Sequence, residues 1–324
     1  MLKISVVLCT YNGEKYIEQQ LDSIRNQKQK PDEVIICDDG STDNTVVVIN
    51  EYIKKYKLKQ WIVVENEKNL GYFDNFFKAI KLCKGDTIYL SDQDDIWDLE
   101  KIYAFEKIYI KNPDVSMIQS NIKFIDCNDN SIDMSYKYHG KNKKNGIAEL
   151  RTEDMCKFSG SGYTMSFRKN VIDTIFLKKL NEHRNVYLYH DILIGLMSAA
   201  IGKCYLCMDI VDQHRLHNSN VTQMNGKSYI SDRTLEKQIS ILNRRKLEFQ
   251  LMLDSISDKD ILKCFMMFST FAVYRSELIE KKKFTNIGYL VRHINLYSSK
   301  FGLFTDLMYS IGAEKLLIHI YKFF

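Results

Sequence analysis

The chain has 324 residues, 45% of them hydrophobic and 27% charged, with 46 Lys and Arg against 41 Asp and Glu for a net charge of +5. That balance suits a globular protein able to bury a core, and only 2 Pro and 14 Gly exclude collagen-like and Pro-rich disordered chains. The longest nearly apolar run, Cys264 to Tyr274, falls short of the ~20 residues that a bilayer-spanning helix needs.

The opening Met1 to Asn12 has no basic leader and reads as a first strand rather than a signal peptide. Ile4 to Cys9 is a β-branched apolar run, a buried strand. Tyr16, Ile17, Leu21 and Ile24 then form a helical stripe within 13–27. A second strand is expected at Glu33 to Cys37. A helix follows over Asp43 to Tyr56, capped by Ser41, Thr42 or Asp43. Trp61 to Glu65 gives a third strand, Tyr72 to Cys83 a third helix, and Thr87 to Leu90 a fourth strand. Strand and helix alternating at this spacing predict an α/β fold with a parallel sheet covered on both faces. In such sheets ligands bind at the carboxyl ends of the strands.

The middle is more mixed. Strands are expected at Val115 to Asp126, Tyr163 to Phe167 and Lys203 to Val211, an apolar helix at Asp191 to Ile201, and a polar basic loop at 139–146. From about 230 the pattern turns helical, over 233–253, 258–283, 286–299 and 303–323. The chain is therefore read as two domains, 1–224 and a helical 225–324. The second carries 16 Lys and Arg against 10 Asp and Glu. Such a tail favours an anionic partner such as a membrane surface, or is simply a solvated helix face. Eight Cys fall mostly in apolar runs and read as core, including the single Cys204-x-x-Cys207, which has no second pair to make a zinc ribbon.

Three acidic groups end elements of the sheet: Cys37-Asp-Asp-Gly-Ser-Thr-Asp43, Ser91-Asp-Gln-Asp-Asp-Ile-Trp97, and Asp191 at the start of an apolar helix. Carboxylates gathered at one sheet edge repel unless a cation or donors neutralise them. A divalent metal held by one or two carboxylates plus substrate phosphates answers that need. Asp92 and Asp94 suit it, because alternate residues of an extended chain point the same way. The competing explanation is ordinary acidic turn chemistry.

Ser5-Val-Val-Leu-Cys-Thr-Tyr-Asn-Gly13, Val34 to Asp43 and Ser91 to Trp97, in this order and with Asn69-Leu-Gly71 between, resemble a family 2 inverting glycosyltransferase of the GT-A fold. The likeness covers about 1–222. It implies that Thr10, Tyr11, Asn12, Asp39, Asn69 and Gly71 hold the donor nucleotide, with Thr10, Tyr11 and Asp39 at the base. It places Asp92 near ribose and sugar and Asp94 on a Mn2+ or Mg2+ ion, with Asp92 as a second acid, and makes Asp95 an extra carboxylate. Gly162 and Thr164 of Gly162-Tyr-Thr-Met-Ser-Phe167 would adjoin sugar and acceptor, with Trp97 and His190 in the same region. Asp191 would be the catalytic base; the family usually has Glu-Asp there, and this chain has His190-Asp191. His214-Arg-Leu-His217 resembles a late Tyr-Arg-x-His segment, with Arg215 near phosphate and His217 near metal.

The implied chemistry is attack of an acceptor hydroxyl on the anomeric carbon, with Asp191 taking the proton. A retaining hydrolase would need two carboxyls about 5 Å apart, and no second candidate is apparent. Ser-Asp-Gln-Asp-Asp-Ile-Trp resembles bacterial rhamnosyltransferases of polysaccharide assembly, which implies dTDP-L-rhamnose as donor, with UDP-hexoses open. The expected acceptor is a glycan or lipid-linked glycan. A cytoplasmic protein, peripheral on the membrane through Lys281-Lys-Lys-Phe284 and Ile318 to Phe324, is one expectation; helices packed on the catalytic domain or in a homodimer are the other. A non-catalytic nucleotide-sugar-binding module is the rival reading. A nucleic-acid binder is disfavoured for want of a motif, and a dehydrogenase because no Gly-x-Gly-x-x-Gly follows the first strand.

Overall fold

The structure, a computed structural model, describes residues 2–133, 145–157, 161–172, 189–217, 234–299 and 301–321. It divides into two compact units: Met1–Arg151 with Ser159–Asp173 and Tyr189–Leu216, and Thr152–Phe158 with Thr174–Leu188 and His217–Phe324. The basic loop expected at 139–146 lies outside the described residues except for its last two, as does most of 217–224.

In the first unit the predicted alternation is present: β1 (Ile4–Thr10), α1 (Ile17–Arg25), β2 (Glu33–Asp38), α2 (Thr45–Tyr56), β3 (Trp61–Glu65), α3 (Tyr72–Leu82) and β4 (Thr87–Asp92). These four strands lie in the order β3-β2-β1-β4, all parallel. Val6, Val7 and Leu8 of β1 are buried on both faces, as a strand covered on each side requires. α1 presents Ile17, Leu21 and Ile24 to the core shared with Ile36, Ile49 and Trp61.

One helix escaped the pattern. α4 (Lys101–Lys111) reads Lys-Ile-Tyr-Ala-Phe-Glu-Lys-Ile-Tyr-Ile-Lys, with apolar residues on nearly every side, so no single stripe stands out. Ile102, Phe105, Ile108 and Tyr109 are the face it buries.

Beyond β4 the sheet is mixed rather than wholly parallel. β5 (Val115–Ile125) is followed by β6 (Ser131–Ile132), β7 (Ile147–Leu150), the short α5 (Thr152–Cys156), a 3-10 turn at Gly162–Thr164, β8 (Met165–Arg168), α6 (His190–Ile201) and β9 (Lys203–Arg215). The order continues β4-β8-β5-β9-β7, with β6 on β5. β8 is antiparallel to both β4 and β5, β9 is parallel to β5, and β7 is antiparallel to β9. β9 runs four residues past its predicted end. The polar Asp212, His214 and Arg215 break the apolar pattern, yet all three are buried. Cys204 and Cys207 are buried, free thiols on this strand, and burial pushes the Cys204 thiol up to about 12.

The second unit is helical: α7 (Leu235–Leu253), α8 (Lys259–Lys281), α9 (Ile287–Arg292), α10 (Gly302–Ser310) and α11 (Glu314–Tyr321), with α5 against α8. Thr234 and Asp258 cap α7 and α8 by accepting backbone N–H bonds. Leu242, Ile279, Met308, Tyr309 and Leu317 form a core. Beside it the Arg275 guanidinium grips the Asp306 carboxylate at 2.6 and 3.0 Å. The helix expected over 303–323 is two helices, because Gly312 takes φ +73° and turns the chain. Among the described residues no helix is long and apolar enough to cross a membrane.

Candidate functional site

β1 has β2 on one side and β4 on the other, so the chain order of the strands reverses across it, the place where open α/β sheets form a crevice at their carboxyl ends. Register sets Thr10 beside Asp38 and Cys9 beside Asp92. The first two acidic groups therefore flank the end of β1.

Asp39 organises one wall. Its buried carboxylate accepts Asn66 Nδ2 at 2.8 Å, the Leu70 N–H at 2.7 Å and the Gly71 N–H at 2.9 Å. Asn66 in turn donates to Asn75 Oδ1, and Asn75 donates to the Cys37 carbonyl, each at 2.9 Å. This network draws the 66–71 loop onto the end of β2. Gly40 permits the approach: a Cβ there would come 3.3 Å from the Asn69 nitrogen, and its φ of +77° is costly for any other residue. Asn69 Oδ1 accepts the Gly71 N–H at 3.0 Å, so Asn69 and Gly71 shape the start of α3.

Thr10, expected at the nucleobase, is 2% exposed and donates its hydroxyl to Asp38 Oδ1 at 2.8 Å. Tyr11 is exposed, and its backbone is held at both ends by the Gln93 amide, which accepts from its N–H at 2.8 Å and donates to its carbonyl at 2.9 Å. Asn12, with φ +49°, receives the Thr42 N–H on Oδ1 and gives its own N–H to Ser41 Oγ, each at 2.8 Å. Gln93 thus locks the β4 acids to the end of β1. It stands inside the quoted 91–97 string, but nothing in that string assigns it this task. Asn66 and Asn75 carried no signal at all.

At the end of β4, Asp92 and Asp94 are half-buried and Asp95 is buried. Burial first, then the charges of Asp95 and Asp94 and, more weakly, Asp191, hold the Asp92 carboxyl well above the usual carboxylate range. The opposing influence of His214 is smaller than that of Asp95 or Asp94. The His214 Nδ1 bonds Asp95 Oδ1 at 2.7 Å, and its ring stacks on Tyr163 at 4.4 Å. Burial alone would lower the His214 pKa; the Asp95 carboxylate, with Asp94 and Asp92, raises it to about 9. Crowded oxygen donors fit a hard divalent cation, which takes one or two carboxylates and completes its shell from substrate phosphates and water. Among the described residues no three His, Cys, Asp or Glu side chains are arranged to hold a metal by themselves. A cation here would take Asp92 and Asp94 as the chain's share. His217 stands two residues beyond β9, in the second unit.

Three expected site residues are used otherwise. Arg215 is 1% exposed, and its guanidinium bonds the Asp94 carbonyl at 3.0 Å, the Asp126 carbonyl at 3.1 Å, Gln19 Oε1 at 2.7 Å, and Asp129. Instead of facing a phosphate it clamps the Asp94–Asp95 turn, and its N–H bonds Asp95 Oδ1 at 3.1 Å. Trp97 is a core residue at 2% exposure, tilted against Tyr89, with the Lys101 ammonium 4.1 Å from its ring. It packs in the same core as Ile102 and Phe105 of α4. Thr164 is fully buried, donating to the Ser161 carbonyl at 2.7 Å and accepting Gln119 Nε2 at 3.2 Å. Position in a motif does not reveal burial. Beneath them the fully buried Lys101 ammonium bonds Asp212 Oδ2 at 2.7 Å and the Tyr163 carbonyl at 2.8 Å, tying α4 to β9 and to the 162–164 turn.

Asp191, in the first turn of α6, is half-buried, and its Oδ1 accepts the Ile192 N–H at 2.8 Å. His190 beside it is stacked on Phe76 with ring centroids 4.0 Å apart. Gly162 packs against both: a Cβ there would come 2.9 Å from His190 Nε2 and 3.5 Å from the Asp191 Cβ. Asp39, the Asp92–Asp95 turn, Gly162, His190 and Asp191 all belong to the first unit.

Residues 5–176 match the family described as glycosyl transferase family 2. The chain is 26% identical over 244 residues to an uncharacterized glycosyltransferase of Nostoc sp., covering 74% of this chain and 72% of that protein. It is 43% identical over 98 residues to a dTDP-rhamnosyl transferase of Shigella flexneri, 29% of this chain and 34% of that one. In fold it is similar to a crystal structure of S. aureus TarS 1-349 in complex with UDP. The TM-score is 0.63 at 16% identity, over 99% of this chain and 91% of that one.

Proposed function

Because the chain belongs to glycosyl transferase family 2, we propose that it transfers a sugar, with inversion and with a divalent cation, from a nucleoside-diphosphate donor to a hydroxyl of a glycan acceptor. A single observation carries this reading. Asp39 and the Asp92–Asp95 turn stand at the carboxyl ends of β2 and β4 on either side of β1, and Asp191, in the first turn of α6, is among the charges that raise the Asp92 carboxyl. A base acting in line with a leaving diphosphate needs that grouping.

In this reading the exposed Tyr11 lines the base pocket, and the buried Asp39 carboxylate holds its wall in place through Asn66, Leu70 and Gly71. Thr10, Asn12, Asn69 and Gly71 shape that pocket rather than touch the ligand. Asp92 and Asp94 bind the cation. When bound, Mn2+ or Mg2+ supplies charge neutralisation for the departing diphosphate. Asp191 accepts the proton of the attacking hydroxyl, and attack from a single face inverts the anomeric centre. Arg215 acts through the turn it clamps.

The 43% identity to a dTDP-rhamnosyl transferase supports dTDP-L-rhamnose as donor. Lys281, Lys282 and Lys283 beside the exposed Phe284 favour an acceptor carried on an anionic membrane. Co-sedimentation with anionic vesicles tests that last point, and loss of binding in a Lys281, Lys282 and Lys283 triple Ala variant is expected.

The test of transfer is Asp191→Asn. Donor binding by calorimetry should persist while turnover falls by 10²-fold or more, on the order expected for a lost general base. Product NMR should give the inverted anomer. Unchanged turnover would remove Asp191 from the mechanism, and a retained anomer would overturn the single-displacement reading.

A further inference from the structure

His190 is 8% exposed, and neither of its ring nitrogens has a hydrogen-bond partner. Its ring lies flat on Phe76, 11° from parallel, and tilts against Tyr72 at 5.9 Å. Tyr72 in turn stacks on Tyr189 at 6.0 Å. Burial alone keeps the imidazole uncharged, with its pKa lowered to about 3. A neutral imidazole carries one N–H donor and one lone pair. Both are idle here, and each unmet polar atom in a buried place is costly. A phenylalanine would fill the same aromatic slot without that cost. The slot adjoins Asp191, and Gly162 leaves room for the ring where any Cβ would collide with Nε2.

The missing partner has a definable chemistry. A phosphate would demand a cationic ring, which this burial opposes. A neutral hydroxyl both donates and accepts, and an aromatic surround suits the C–H faces of a pyranose. We propose that His190 is a specificity-determining residue that reads a sugar hydroxyl at the transfer centre through one of its two ring nitrogens, with Gly162 making room for its ring. The inference rests on the reading of this site as a glycosyl-transfer site. The hydroxyl belongs to the donor pyranose or to the acceptor sugar, and the two sources separate in the assay.

The experiment compares wild type with His190→Phe, which keeps the ring stack, and His190→Gln, which keeps a donor and an acceptor. Each is assayed with dTDP- and UDP-sugars and their monodeoxy analogues. Affinity for the bare diphosphates should be unchanged in both variants, which also shows that they fold. In His190→Phe, kcat/KM should fall roughly 10- to 100-fold, the worth of one buried hydrogen bond. One deoxy sugar should show no further loss in the variant, and His190→Gln should recover part of the rate. If donor hydrolysis without acceptor also falls, the hydroxyl is the donor's; if only acceptor KM rises, it is the acceptor's.

Equal losses for every deoxy analogue in wild type and variant, or unchanged kcat/KM in His190→Phe, would overturn the proposal. If wild type turns over no nucleotide sugar, the transfer reading fails on its own. The His190 ring 15N resonances, titrated with free monosaccharides, then decide the proposal: a shift supports it and silence overturns it.

Discussion

Lowering the pH should destabilise the first unit through His190. In the folded chain burial lowers this imidazole to about 3, from 6.5. Between those values the unfolded chain binds more protons. The stability held above pH 6.5 is therefore lost as pH falls toward 3. At pH 5 the loss is about 2 kcal/mol, set by the unfolded chain's titration from 6.5, and at pH 7 it is only about 0.2 kcal/mol. Other groups titrate in this range too, so the comparison is with His190→Phe, which preserves the stack on Phe76. Urea unfolding of both proteins at pH 7 and pH 5 isolates the difference. With a slope of about 2–3 kcal/mol/M, the wild-type midpoint should drop about 0.6–0.9 M more than the variant's between the two pH values. Identical pH dependence in the two would refute the claim that the ring is buried and uncharged.

Other substitutions probe the supports of the site. Lys101→Met strands the Asp212 carboxylate, buried with it. It should cost about 3–5 kcal/mol in denaturant unfolding, with much of the loss regained on adding Asp212→Leu; additive losses would contradict the pairing. Asp39→Asn puts an N–H2 where Asn66, Leu70 and Gly71 donate. Stability should fall by about 1–3 kcal/mol and nucleoside diphosphate affinity with it, and an unaltered calorimetric Kd would separate Asp39 from the donor pocket. Gly312→Ala has open space for its Cβ but keeps φ +73°. About 1 kcal/mol, or a few degrees in Tm, is expected in the helical unit with no effect on nucleotide binding.

The first four strands and three helices were legible because each is local: an apolar run or stripe bounded by turn residues. The acidic groups were legible because they follow those strands directly. The sheet beyond β4 was not. β8 pairs with β4 and β5 through residues far apart in the chain, and no local pattern dictates that it runs antiparallel. Burial of polar residues was equally hidden. Asp212, His214 and Arg215 look like a strand's solvent-facing end, yet Lys101, Asp95 and Gln19 supply their partners from distant segments. The same blindness misplaced Trp97 and Thr164, whose motif positions resemble ligand contacts while their side chains pack inward. His190 stood out only as a departure from Glu. Its idle nitrogens required the packed neighbours to be seen.

The most direct test of the account is a thermal-shift titration with dTDP, UDP and GDP, each with and without Mn2+ or Mg2+, on wild type and Asp94→Ala. A nucleoside diphosphate at 100 times its Kd should add about 2.7 kcal/mol of stability in the presence of cation. That gain should vanish without the cation and in Asp94→Ala. No stabilisation by any nucleotide under any condition would contradict the donor site and leave the three acidic groups as turns.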